Sequence, residues 1–423
     1  MAIMPTPPTE HAPTTYRAPG LVLTEHTLDV PVDHADPGGE QISIFAREVA
    51  DPDGLDRPFL VFLQGGPGFE APRPTGNPLS PGWLGRALAD FRVLMLDQRG
   101  TGRSTPVGDL TGKTPEEQAV YLTHFRVDAI VRDAEAFRQH LGSPPWSVLG
   151  QSLGGFATLA YLSQAPEGMR EAFFTGGLPA IGRHIDEIYG ATYARVLERT
   201  RRFYLRYPQD RDRLLAAHRL IEAEPGLRLP SGDRLSDRRL RQLGQMLGAG
   251  DGAEQLHYIL ELDPTSPAFG HGVEEATTWA RNPIYAILHE ACWADGGTTR
   301  WSADRVLPSA YAEDPTLLTG EHVYPWMFDE ISALTALRAA ADLLADHDWP
   351  RLYDADRLAN NEVPAAAAIY VEDMYVDREF SEPTAAQVNG LRPWVTSEYE
   401  HNGLRADGAR ILDRLINLTR GRA

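Results

Sequence analysis

Cysteine is almost absent from this chain. Among 423 residues there is one, Cys292, so no internal disulfide can form. Flanked by Ala291 and Trp293, with no base beside it, it reads as a buried structural thiol rather than a nucleophile. Basic residues are also in deficit: 40 lysines and arginines face 59 aspartates and glutamates, a net charge of −19. A surface of that sign repels phosphate backbones and anionic membranes, which excludes nucleic acid as an expected partner. No apolar run approaches the length needed to span a bilayer, and neither a zinc-type Cys/His spacing nor a fixed-period repeat is present. No metal or cofactor is therefore expected. Residues 1–15 are rich in proline and threonine and lack an apolar core flanked by basic residues; they read as a mobile tail, with a cytoplasmic home expected.

What is present is organised around Gly150-Gln151-Ser152-Leu153-Gly154. An apolar run from Trp146 stops there, and a helix-compatible segment, residues 156–162, follows. A strand that turns so sharply into a helix leaves a serine hydroxyl at the tip of a strained bend, and the glycines on either side give the backbone room to make it. The flanking sequence supplies the setting. Residues 21–32 and 41–49 alternate apolar and polar positions around Pro37-Gly38-Gly39, the pattern of a hairpin. Residues 59–63 and 92–97 are continuous apolar runs, expected as strands buried on both faces. The first discharges into Gln64-Gly65-Gly66-Pro67-Gly68 and the second into residues 98–104. Helices are expected over 83–91 and 127–141, and a strand over 171–178. From about residue 179 to 350 the rhythm changes to long arginine-rich helical stretches, and strands resume only near Val363: residues 364–371, then 394–396, with a helix over 382–388 between them. A turn at 400–403 and a closing helix over 404–418 complete the chain.

Strands alternating with helices imply an α/β fold with a mostly parallel sheet, whose active site lies at the carboxyl ends of the strands. The expected division is core over 1–178, a helical cap over 179–350 inserted before the penultimate strand, and core again over 351–423. Serine first, acid next and histidine last is the chain order of a triad on an α/β-hydrolase sheet. Of thirteen histidines only His401 follows an acid candidate on a late turn. Asp373 sits where the strand starting after Pro364 should end, and Asp377, nearer the next helix start, stays open as the alternative acid. Backbone N–H groups of Leu153 and Gly66 are placed to hold an oxyanion; Pro67 has no N–H and only shapes its loop. Asp97 and Arg99 are expected to brace loops rather than move protons.

Gly-Gly-Pro-Gly after one strand, Asp-Gln-Arg-Gly-Thr-Gly-Arg-Ser after the next, Gly-Gln-Ser-Leu-Gly-Gly at the elbow and a late Glu-His-Asn-Gly together resemble the proline iminopeptidases, serine peptidases of the α/β-hydrolase fold. The sequence departs from them at Gln64, where many relatives carry histidine, and in the acid segment, which lacks the usual Gly-Arg-Tyr-Asp. The resemblance implies catalytic Ser152, Asp373 and His401, no metal, and a small peptide substrate with a free N-terminus. By analogy with the family's cap glutamates it implies Glu290 first and Glu330 second as partners of the substrate amine, with Glu321 open beside them. An esterase, lactonase or amidase on the same scaffold, or a non-catalytic hydrolase-like binding protein, are the alternatives. The aspartate nucleophile of epoxide hydrolases and haloalkane dehalogenases is absent, since the elbow carries Ser152.

Overall fold

A strand buried at nearly every position needs both faces covered, and three such strands, each with an apolar run, form the middle of a nine-stranded sheet. The computed structural model describes residues 11–422. Its strands are β1 (Thr14–Ala18), β2 (Leu21–Pro31), β3 (Gln41–Ala50), β4 (Phe59–Leu63), β5 (Arg92–Asp97), β6 (Trp146–Gln151), β7 (Met169–Thr175), β8 (Ala365–Tyr370) and β9 (Leu391–Thr396). Their spatial order is β1-β2-β3-β5-β4-β6-β7-β8-β9. The first four in that order pair antiparallel; from β5 to β9 every pair is parallel. The chain leaves β4 to form β5 on one side and returns to form β6 on the other. The crevice beyond the carboxyl end of β4 is therefore the switch point where open α/β sheets bind ligands. The loop at residues 64–68 and the Ser152 bend both open onto it.

The helices that position the site are α1 (Leu84–Asp90), α2 (Val127–His140), α3 (Leu153–Gln164), α4 (Ile185–Arg206), α5 (Pro283–Trp293), α6 (Arg378–Gln387), α7 (Gly403–Ala406) and α8 (Gly408–Thr419). The hairpin forms as expected, with Leu28 opposite Ile44 and Val30 opposite Ile42, all four buried. The expected tail lies outside the described residues over 1–10. Its end differs from expectation, because Thr14 and Thr15 open β1 and pair with Glu25 and Thr24. An exposed edge strand carries no apolar alternation to announce it. The strand expected to reach residue 178 stops at Thr175, because Gly176 (φ +54°) turns the chain beneath His401 and Asp373. The closing helix is broken at Asp407: Gly408 lies against the backbone of Trp83, where a Cβ would collide, and the chain bends to allow that approach.

Among the described residues, no strand of the main sheet occurs between β7 and β8. The helical stretch between them packs in two ways. Val196, Leu214, Leu240, Leu256 and Phe269 form a cluster of their own, whereas Tyr285, Leu288, Phe328 and Leu344 share the core of α2 and α3 with Val127 and Phe156. No helix among the described residues is long and apolar enough to cross a membrane. Cys292 is buried on α5, and burial pushes its thiol up to about 12. Native protein should therefore leave a thiol reagent such as dithiobisnitrobenzoate unreacted over minutes, with one thiol appearing on denaturation; rapid labelling without loss of structure would contradict this burial.

Candidate active site

Ser152 occupies the bend between β6 and α3 with φ 54° and ψ −125°, a left-handed conformation that costs a non-glycine residue roughly 1–3 kcal/mol and persists only where packing imposes it. The imposing contacts are visible. A Cβ at Gly154 would run into the carbonyl of Leu63, one at Gly150 into the carbonyl of Gly154 and the hydroxyl of Thr158, and one at Gly155 into Gly177. The elbow glycines are there because neighbouring backbone passes where their side chains would be. The Ser152 N–H donates to Thr175 O at 3.1 Å, tying the bend to the end of β7.

Residues far apart in sequence meet at this bend. His401 Nε2 lies 2.9 Å from Ser152 Oγ, and His401 Nδ1 lies 2.7 Å from Asp373 Oδ2. A carboxylate only accepts, so Nδ1 carries the hydrogen and Nε2 is left with its lone pair toward the serine. The other oxygen of Asp373 accepts from the N–H groups of Tyr375 at 2.9 Å and Val376 at 3.0 Å, which fixes the carboxylate's orientation. Burial by itself would lower the imidazole's affinity for a proton; the Asp373 carboxylate outweighs it and raises His401 above the ordinary histidine range. Asp377 serves elsewhere: it caps α6 through the Glu379 N–H and pairs with Arg195 at 2.8 Å. Of the two acids left open by the sequence, Asp373 is the one bonded to His401.

The loops around this trio are braced from below. Asp97, fully buried, pairs with Arg73 at 2.7 Å and accepts from the N–H groups of Ala71 and Arg103. Arg99 binds Asp133 and donates to the carbonyl of Val32. Gln98 Nε2 donates to Gln64 O at 2.9 Å, holding the 64–68 loop to the end of β5. Among the described residues, neither the Leu153 N–H nor the Gly66 N–H donates to a protein oxygen. From above, one stripe of α4 reaches the loops bearing the acid and the histidine. Arg195 holds Asp377, Arg199 binds Glu400 and the carbonyl of Glu372, and Arg202 pairs with Glu372 at 2.6 Å. Their i, i+4, i+7 spacing puts all three on one helix face.

Ser152 and His401 open into a cavity of about 550 Å³. One wall is aromatic: Trp279 and Tyr285 stack with ring centres 4.0 Å apart, and Phe69 meets Tyr285 edge-on at 5.9 Å. Glu321 lines the same cavity, accepts a hydrogen bond from the Tyr285 hydroxyl and lies 4.0 Å from His289 Nε2. Burial pushes its carboxyl up to about 7, against the opposing pull of His401 and the Tyr285 hydroxyl. Burial drives His289 down to about 3, leaving it neutral.

Neither glutamate favoured by the sequence reading lines this cavity. Glu290 is buried on α5 and accepts from the Ala303 N–H at 2.9 Å. Glu330 is engaged by Ser236 and by Arg238, whose Nε is 2.7 Å away. Helical period explains the first displacement. Tyr285 and His289, four apart, share the α5 face toward Glu321, and Glu290 falls on the next face round, toward residues 299–303. Trp279 and Tyr285 were also missed; the spacing of Tyr285 four residues before His289 was the available signal.

Comparison with known proteins agrees with this architecture. Residues 58–273 match the family described as alpha/beta hydrolase fold. A proline iminopeptidase from Aeromonas sobria is 46% identical over 427 residues, covering 97% of this chain and 99% of its own. This chain belongs to the proline iminopeptidase family. A second member, proline iminopeptidase aneH of Aspergillus aculeatus, is 32% identical across 96% of both chains. Proline iminopeptidase of Neisseria gonorrhoeae is also 32% identical, but over only 31% of this chain and 36% of its own. The family resemblance drawn from the short motifs thus extends, in the first two relatives, through the helical stretch that carries Glu321 and the aromatic wall.

Proposed function

We propose that this chain is a serine aminopeptidase that releases N-terminal proline, or a small apolar residue, from short peptides through an acyl-enzyme. Ser152 Oγ attacks the carbonyl carbon of the first residue while its proton passes to His401 Nε2, and Asp373 holds the imidazolium that forms. The carbonyl oxygen, now an anion, accepts from the unengaged N–H groups of Leu153 and Gly66. Collapse breaks the C–N bond, His401 returns the proton to the leaving nitrogen, and water repeats the sequence to free the acid. The observation that carries the aminopeptidase reading is Glu321: a carboxylate beside the serine–histidine pair, backed by an aromatic wall. Its charge offsets the desolvation of a protonated amine, and Tyr285 with Trp279 offers an apolar surface for a pyrrolidine ring. In this reading Glu290 and Glu330 play no direct part in amine binding. The helical stretch over 179–350 acts as a cap that excludes water, and the single buried thiol suits the cytoplasm.

The test compares proline 4-nitroanilide with its N-acetyl form, and each with a simple ester lacking an amine. Wild-type protein should turn over only the free amine of the first pair; equal turnover would leave an esterase or amidase in place of the aminopeptidase. Glu321→Gln removes the charge that meets the amine, worth about 2–3 kcal/mol for a hydrogen bond to a charged group, or roughly 10²-fold in kcat/KM. That loss should be at least tenfold larger on the prolyl anilide than on the ester. A parallel loss on both would remove amine recognition from Glu321.

A further inference from the structure

Almost every arginine around the site is spoken for. Arg73 is held by Asp97, Arg99 by Asp133, and Arg195, Arg199 and Arg202 of α4 by Asp377, Glu400 and Glu372. Two arginines line the cavity: Arg281, which is bound to Glu70, and Arg405. Among the described residues, the Arg405 guanidinium makes no hydrogen bond or ion pair. In a chain with 19 more acidic than basic residues, an unengaged cation at the mouth of the catalytic cavity calls for an anion from outside.

Its position says which end of the substrate that anion occupies. His401 must face the leaving nitrogen to protonate it, so the leaving part of the peptide runs past the segment that bears His401. Arg405 stands four residues further on, in α7, fixed by the turn in which the Gly403 N–H donates to Glu400 O at 3.1 Å. Glu321 lies with the aromatic wall, where the amine end is read. Each peptide residue advances at most about 3.3–3.6 Å, so a dipeptide or tripeptide is roughly 7–11 Å long, comparable with the width of a cavity of about 550 Å³. Its terminal carboxylate is the anion that arrives there. We propose that Arg405 binds the free C-terminal carboxylate of short peptide substrates and so selects di- and tripeptides over longer or C-terminally blocked ones. The second cavity carboxylate, Glu275, is also exposed. This inference rests on the aminopeptidase reading.

The experiment measures kcat/KM for prolylalanine and for prolylalanine amide, and takes the acid-to-amide ratio in the wild type, Arg405→Gln and Arg405→Lys. Each enzyme is its own control, so differences in leaving-group basicity cancel between variants. Losing an exposed ion pair should make the ratio fall about fivefold or more in Arg405→Gln, while Arg405→Lys, which keeps the charge, should retain most of it. Raising ionic strength to about 1 M should narrow the wild-type ratio and leave that of Arg405→Gln unchanged. A ratio that changes by less than twofold in Arg405→Gln would overturn the proposal while leaving the aminopeptidase reading untouched. Wild-type protein inactive on both peptides but active on esters would instead overturn that reading.

Discussion

Ser152→Ala is expected to lose at least about 10⁴-fold in kcat on prolyl substrates while the protein stays folded. The size follows from the chemistry: without Oγ no acyl-enzyme forms, and only substrate positioning and the Leu153 and Gly66 donors remain to assist water. The fold survives because alanine tolerates the same bend as serine no worse, and the contacts that force the bend are made by the glycines and by Leu63 and Gly177. Circular dichroism and the urea midpoint should match wild type. A serine-directed phosphonate should label the parent at one site and the variant not at all. Retention of a tenth of the activity would exclude Ser152 as the nucleophile.

Asp373→Asn should cost nearly as much, about 10⁴-fold, by a different route. An asparagine presents an N–H to Nδ1, favouring the tautomer in which Nε2 carries the hydrogen and can no longer take the serine's proton. The pH profile separates this from general damage. Because Asp373 is what holds the His401 proton affinity above its ordinary value, and catalysis needs the imidazole neutral, wild-type kcat/KM should fall as pH drops through a value above 6.5. In Asp373→Asn the residual activity should carry that limb to lower pH. Glu321, pushed up to about 7, must be ionised to meet an amine and adds its own loss on the acid side for amine substrates alone. Asp377→Asn is the contrast: it keeps a capping side chain for α6 but weakens the contact with Arg195, so it should reduce stability by about 1 kcal/mol and leave the limb where it was. An unshifted limb in Asp373→Asn, or a shifted one in Asp377→Asn, would reverse their assigned roles.

The contrast between these aspartates also shows what sequence alone can reveal. Strands β4, β5 and β6 were legible because their apolar residues are contiguous, and Ser152 because its glycines announce a backbone with no room for side chains. The order serine, acid, histidine narrowed thirteen histidines to His401. Glu321 stayed only an open candidate because it lies in an irregular segment between Glu313 and Met327, where no helical or strand period says which side chains turn inward. The choice of Glu290 lost to the helical period of α5, which turns Tyr285 and His289 toward Glu321 and Glu290 toward residues 299–303. The edge strand β1 pairs with nearby β2 across Pro19-Gly20, but its exposed residues show no apolar alternation, and the break at Asp407 depends on a partner distant in sequence, Trp83.

The arginine stripe of α4 grips the two loops that carry Asp373 and His401 by their shoulders. Swinging this helix outward would first break the ion pairs at Glu372, Asp377 and Glu400 that hold those loops in place. Phe69 and residues 275–282 line the cavity away from that stripe, and there Arg281 pairs with Glu70 as an ionic latch between a core loop and the helical stretch. Shortening α4 should therefore slow hydrolysis of even a small ester by loosening the loops of Asp373 and His401, whereas replacing Arg281 should leave the reacting groups in register.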